Sequence, residues 1–446
     1  MICKTLLFVL FATATWAQTN APVTPGTPVS VTAGTGPTQT SPIKVSLQDA
    51  IRLAQANTSQ FRAAVTNAGI AHEDKVQARA ALLPNLSYQS GAIVTQANGT
   101  PSGVFIANNA PTEYVTWGNV HQVLSGAGIA DFQRTRALEA VARAKLEIAR
   151  RGLVATVVQA YYKMIVARDK LQNARAAATE AQRFLKLSQQ LEQGGEVAHS
   201  DVLKAQLQVN NAEGAVENAA RADEAAKLGL AVLVFPNYTE NFDVVNDLDQ
   251  APVLPEFQRV QELAGQNNPE VAAAIGAMKA SQHEVMSALA GHLPSLTFDY
   301  WYGIDSERYA VRTGSINNLG YSFAATLNLP VFDWGAVQSK VKQAQLQRDL
   351  ARVQLNEAQR TAVANLQIFY HEAETARGQM EMLKRSVNLA AESLRLTTLR
   401  YQGGEATALE VVDAQNALVL ARNNYDDGAA RYRVAIAQLQ TLTGSF

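Results

Sequence analysis

Leu83-Pro84-Asn85-Leu86-Ser87-Tyr88 decides the fold, because it returns 210 positions later as Leu293-Pro294-Ser295-Leu296-Thr297-Phe298. The same offset lays Leu53-Ala54-Gln55-Ala56-Asn57 on Leu263-Ala264-Gly265-Gln266-Asn267 without a gap. An offset of 209 then carries Gln193-Gly194-Gly195-Glu196 onto Gln402-Gly403-Gly404-Glu405. Three blocks in nearly one register describe a single structural unit written twice.

Working outward, each Leu-Pro block closes a helical stretch and opens an alternating one. Residues 45–83 carry a helical pattern with Ser46 as its N-cap, stopped at Leu83-Pro84. Beyond each block the period becomes two. Leu296, Phe298, Tyr300 and Tyr302 alternate with Thr297, Asp299, Trp301 and Gly303, and Tyr321, Phe323, Ala325 and Leu327 alternate with Ser322, Ala324 and Thr326. This places strands at about 295–304 and 319–332, with counterparts at about 85–97 and 113–125. Their aromatics Tyr88, Tyr114, Trp117, Trp301, Tyr302, Tyr321, Phe332 and Trp334 suit an interfacial girdle on strands of membrane-crossing length. Four strands do not close a barrel, so several chains must contribute strands jointly.

Prolines are absent between Pro111 and Pro236 and again after Pro330. Each interval is rich in Ala, Leu and Gln and is broken by one Gly-Gly pair, which reads as two long helices joined by a tight turn. After the first pair, Val202, Ala205, Val209 and Ala212 step by alternating 3 and 4, as do Val411, Ala414, Leu418 and Ala421 after the second. That is a coiled-coil seam, with Ala allowing close approach.

Charge and composition narrow the function. A net charge of −1 offers no footprint for nucleic acid. Residues 1–17 have the form of a secretory signal, and 18–42 form a flexible leader of Thr, Pro and Gly. The single cysteine, Cys3, precedes the apolar run, the wrong place for a lipid anchor. No later apolar run reaches the ~18–20 residues of a helical span, so any membrane crossing falls to strands. The histidines at 72, 121, 199, 283, 292 and 371 have no metal-site spacing, and no phosphate loop or nucleophile elbow occurs, so neither an enzyme nor a cofactor or metal site is expected.

The order helix, strand, strand, long helix, Gly turn, helix, repeated over 43–235 and 256–446 around a linker at 236–255, resembles the TolC family of outer-membrane efflux channels. The most specific marks are the paired Leu-Pro blocks, Leu329-Pro330-Val331-Phe332-Asp333-Trp334-Gly335, and Tyr401-Gln402-Gly403-Gly404-Glu405 leading into Leu409-Glu410-Val411-Val412-Asp413. The resemblance implies a mainly α fold with a β-barrel portion, in a homotrimer whose twelve strands form one outer-membrane barrel continued by a periplasmic helical tunnel. It implies a duct for efflux or secretion in a Gram-negative-type cell. Its partners would be outer-membrane lipid, a periplasmic adaptor (membrane fusion) protein, and an inner-membrane efflux pump or ABC exporter.

By the same resemblance a periplasmic gate falls on Asp201, preceded by Ser200, and on Tyr401, Glu410 and Asp413, while the adaptor docks at Gly194, Gly195, Gly403 and Gly404. The family's gate arginine falls on Ala406, which offers no hydrogen bond. On the residues alone, Glu410 and Asp413 share a helix face, and threefold symmetry would gather six carboxylates at one opening. Asp201 has a competing local partner in Lys204, three residues on. The alternatives are a periplasmic adaptor, which has one hairpin between small β-domains, and a coiled-coil structural protein, which lacks amphipathic strands.

Overall fold

The computed structural model describes residues 43–94, 112–248, 250 and 252–444. The signal and leader expected at 1–42, and the end of the first strand at 95–97, lie outside them.

Both copies of the unit fold alike. In the first, β1 (Ile43–Val45) leads into α1 (Leu47–Asn57), α2 (Ser59–Ala80), strands β2 (Asn85–Val94) and β3 (Thr112–Leu124), and the hairpin α3 (Gly126–Gln193) and α4 (His199–Val234). The segment expected as a plain linker contains a strand, β4 (Phe242–Val244), which pairs in parallel with β1. The second copy runs α5 (Phe257–Asn267), α6 (Pro269–Ala290), β5 (Ser295–Ser306), a small hairpin β6 (Arg312–Thr313) and β7 (Ile316–Asn317), β8 (Leu319–Asn328), α7 (Ala336–Gln402) and α8 (Ala408–Thr443). No helix among the described residues is long and apolar enough to cross a membrane.

Local chemistry sets the boundaries. Ser46 caps α1 by accepting from the Asp49 amide. Expected as one helical stretch, 45–83 is instead broken at Thr58, whose counterpart Asn268 caps α6 ahead of Pro269. β8 stops at Asn328, short of the expected 332, because Pro330 has no amide to offer a ladder. Asp333 then accepts the amides of Gly335 and Val337 while Trp334 and Gly335 turn left-handed, which starts α7.

Strands β2, β3, β5 and β8 form one antiparallel sheet in that order, with β2 and β8 at its edges. At 68 and 67 residues, α3 and α7 are each about 100 Å long, so the sheet and the glycine turns stand at opposite ends. Between them, around β1 and β4, lies the largest apolar cluster, including Val157, Tyr161, Leu230 and Phe242. The buried Tyr161 hydroxyl donates to the Val245 carbonyl at 2.8 Å, which ties the connecting segment to α3.

Candidate functional site

At the turn end, each hairpin reverses on its second glycine. Gly195 and Gly404 have φ of +75° and +74°, whereas Gly194 and Gly403 remain at −76° and −86°. The Glu196 and Glu405 amides reach back to the Leu191 and Arg400 carbonyls at 2.9 and 2.8 Å, closing each helix end.

Seam residues of both hairpins meet just above these turns. Phe184, Ala205, Leu394, Tyr401, Ala408, Val411 and Ala414 form one apolar cluster, with Ala406 packed against it. Tyr401 is 1% exposed, its ring lies 5.1 Å from Phe184, and its hydroxyl donates to Ser188 Oγ at 3.1 Å. Burial pushes the phenol pKa above its ordinary value. The expected gate partner Asp201 does not hold this hydroxyl; it pairs with Lys204 at 3.1 Å. Ser200 is exposed beside it. Ser188 was not among the expected gate residues; its one signal in the sequence is a hydroxyl on a stripe of Ala181, Phe184, Ser188 and Leu191, again spaced 3 and 4.

Glu410 and Asp413 are both exposed, one turn apart on α8. Glu410 is already engaged. It forms a capping box with Thr407 and lies 3.6 Å from the Arg400 guanidinium. Thr407, donating from its backbone amide and its hydroxyl, holds the carboxyl below the usual range. Asp413 makes no ion pair among the described residues. Above the cluster, Gln208 with Asn416, Asn173 with Asn423 and Asp426, and Lys170 with Asp427 continue the polar contacts between hairpins.

At the sheet end, register sorts the aromatics. Tyr88, Gly118, Tyr302 and Tyr321 form one row across all four strands and share a face with Leu86, Val120, Phe298, Tyr300, Phe323 and Leu327. Tyr114 is on that face nearer the loop end, and Phe332 and Trp334, 4.9 Å apart, lie beyond β8 at the helix end. Trp117 and Trp301 are a correction to the expected girdle. They occupy the opposite, polar face with Asn119, His121 and Asp299, because the pleat reverses a side chain at every residue. His121 and Asp299, which no motif in the sequence links, face each other across β3 and β5 at 2.7 Å.

The chain's second repeat, residues 260–445, matches the family described as Outer membrane efflux protein. Outer membrane protein TolC of Vibrio cholerae is 24% identical over 94% of this chain and 95% of its own length. The alkaline protease secretion protein AprF of Pseudomonas aeruginosa is 25% identical over 89% and 84%. Among solved structures, the Campylobacter jejuni CmeC outer membrane channel superposes with a TM-score of 0.75 at 17% identity, covering 89% of this chain and 85% of that one. With its two copies of one helix-and-strand unit, the chain is similar over nearly its whole length to the TolC family of outer membrane efflux proteins, and the reading these likenesses support is an outer-membrane channel for efflux or secretion.

Proposed function

We propose that three copies of this chain close a twelve-stranded barrel and a helical tunnel. The tunnel is gated at the glycine turns and opens when a periplasmic adaptor and an inner-membrane pump or ABC exporter engage them. The observation that carries the trimer is the sheet itself, which leaves β2 and β8 as edges. In a bilayer, unpaired edge amides and carbonyls cost several kcal/mol each.

The internal repeat gives the closing register. Gly118 pairs with Tyr302 where the two copies join. Gly118 pairs with Tyr88, whose counterpart Phe298 pairs with Ala325, so Ala325 is the second-copy equivalent of Gly118. Tyr302 is 210 positions from Ala92. Ala325 of one protomer therefore faces Ala92 of the next, and this register keeps the apolar face continuous across the joint. The helices support the same closure. In the second copy α6 packs on both α3 and α7, while its first-copy counterpart α2 packs on α3 and buries no residue.

Oxidation of an Ala92→Cys, Ala325→Cys variant, with Cys3→Ser removing the native thiol, should yield covalent dimers and trimers on a denaturing gel. A Ser87→Cys, Ala325→Cys control, whose thiols face opposite sides, should not. Monomer alone from the first pair, or equal cross-linking of both, overturns the arrangement.

For the gate, the supporting geometry is Tyr401 donating to Ser188 between hairpins, with the carboxylates of Glu410 and Asp413 beside the same turn. Separation of the hairpins would break that bond first and the polar contacts above it in sequence.

A further inference from the structure

The polar face of the sheet holds a cavity of about 440 Å³ that neither barrel closure nor the gate uses. Gly303 and Gly320, directly paired on β5 and β8, form its floor. Trp117 stands beside that floor, Trp301 lies one inward-facing row toward the helices, and Asp305 lies one row toward the loops. The two indoles tilt toward each other with centroids 6.5 Å apart. Only glycine fits at 303, where a Cβ would overlap the Thr116 carbonyl and the Trp117 backbone. A Cβ at Gly320 meets open space, so its absence keeps the cavity clear.

The four strands carry charge of one sign, while Arg308 and Arg312 stand in the connection between β5 and β8 that packs on Asn318 at the cavity's edge. The four strands contain no Lys or Arg, and all their acidic residues, Glu113, Asp299 and Asp305, lie on this polar face. His121 is the one basic side chain in the strands, and it is committed to Asp299. Asp305 has neither a hydrogen bond nor an ion pair among the described residues, and neither indole N–H has an acceptor there. Two aromatic faces and one open carboxylate over a smooth floor suit a ligand with a positive charge and a flat apolar body. An anion would meet the open Asp305 carboxylate.

We infer that this cavity is a binding site for organic cations bearing an aromatic group. Its position inside the duct, on the path of exported molecules, rests on the barrel reading above; the binding itself does not.

The test uses tryptophan fluorescence of the full chain in detergent. With Trp16→Phe and Trp334→Phe, only Trp117 and Trp301 report. N-benzylpyridinium, a cationic quencher, should quench in a saturable manner. Benzyltrimethylammonium should compete, whereas benzyl alcohol and benzenesulfonate should not. Asp305→Asn, an exposed and conservative change whose fold is checked by circular dichroism, should raise the half-saturation concentration about tenfold by removing the carboxylate. Gly320→Val, which fills the floor, should abolish saturation. Linear quenching in the parent protein, an unchanged titration in Asp305→Asn, or equal competition by the neutral and anionic probes overturns the site. The readouts separate: saturable quenching without the Ala92–Ala325 cross-link keeps the site and removes the barrel, while the cross-link with linear quenching keeps the barrel and removes the site.

Discussion

One hydroxyl joins the two hairpins at Tyr401, and its acceptor, Ser188, is itself buried, so little water competes for the bond. A neutral hydrogen bond of this kind contributes about 1 kcal/mol net. Tyr401→Phe keeps the packing against Phe184 and removes only that bond. If the bond exists only in the closed form, the open population should rise about fivefold, read as longer open dwell times in planar bilayers. Unchanged dwell times would show that the apolar cluster alone holds the ends together. The glycine pairs separate equally well into unequal partners. Gly404 needs positive φ and Gly403 does not, so Gly404→Val should destabilise the turn by about 1 kcal/mol or more, while Gly403→Ala should be nearly neutral. Thermal unfolding of the two variants measures the difference, and equal losses would contradict the backbone argument.

Helix α2 shows how an element can depend on one carboxylate. Glu139 on α3 is 5% exposed and meets Lys75 at 2.8 Å and His72 at 2.8 Å from α2, with Arg143 at 2.6 Å from its own helix. The hydrogen bond from Lys75, followed by that from His72, holds its carboxyl down at about 2. Because the folded value lies below the ordinary 4.5, this stabilisation is complete above about pH 4.5 and is lost as pH falls toward about 2. Glu139→Gln should cost about 2 kcal/mol at neutral pH. The gap in melting temperature from wild type should then narrow as the pH is lowered from 5 to 3; a gap independent of pH would remove the ion cluster from the account. Elements of this size were largely legible in the sequence. The Leu-Pro blocks, the proline-free intervals and the Gly pairs are local signals, and the long helices and the sheet strands follow from them. Three-residue β1 and β4 were not legible, since so short a segment has no period and pairs across nearly 200 positions. The two tryptophans were misassigned for a different reason. Residue type suggested an interface, but face is decided by register parity, and Trp301 stood among the polar positions of its strand all along. The Tyr401 contact depended on which helices become neighbours, so its Ser188 partner needed the fold.

Acidic side chains stand at both ends of the molecule as well as along the helices: Glu113, Asp299 and Asp305 on the polar face of the sheet, and Glu410 and Asp413 by the glycine turn. In the proposed trimer the turn end gathers six carboxylates, and charges within about one Debye length, ~8–10 Å, of a narrow mouth act together. Their shares differ. Glu410 is already engaged by Thr407 and faces Arg400, whereas Asp413 pairs with no cation among the described residues. Replacing both by Ala should weaken cation preference in single-channel recordings and relieve block by multivalent cations, and Asp413→Ala alone should produce most of the change. Glu410→Ala alone should instead lower the melting temperature, because it removes half of a capping box. Glu372 makes a poor control, since it holds Arg431 across α7 and α8. Exposed Glu357 and Glu381 lie about 65 and 30 Å along α7 from the turn, far beyond screening range, and their double replacement should leave the selectivity of the mouth intact. If the Glu357/Glu381 variant loses cation preference while the Glu410/Asp413 variant keeps it, the mouth is not at this turn, and the carboxylates of the sheet face become the next determinants to replace.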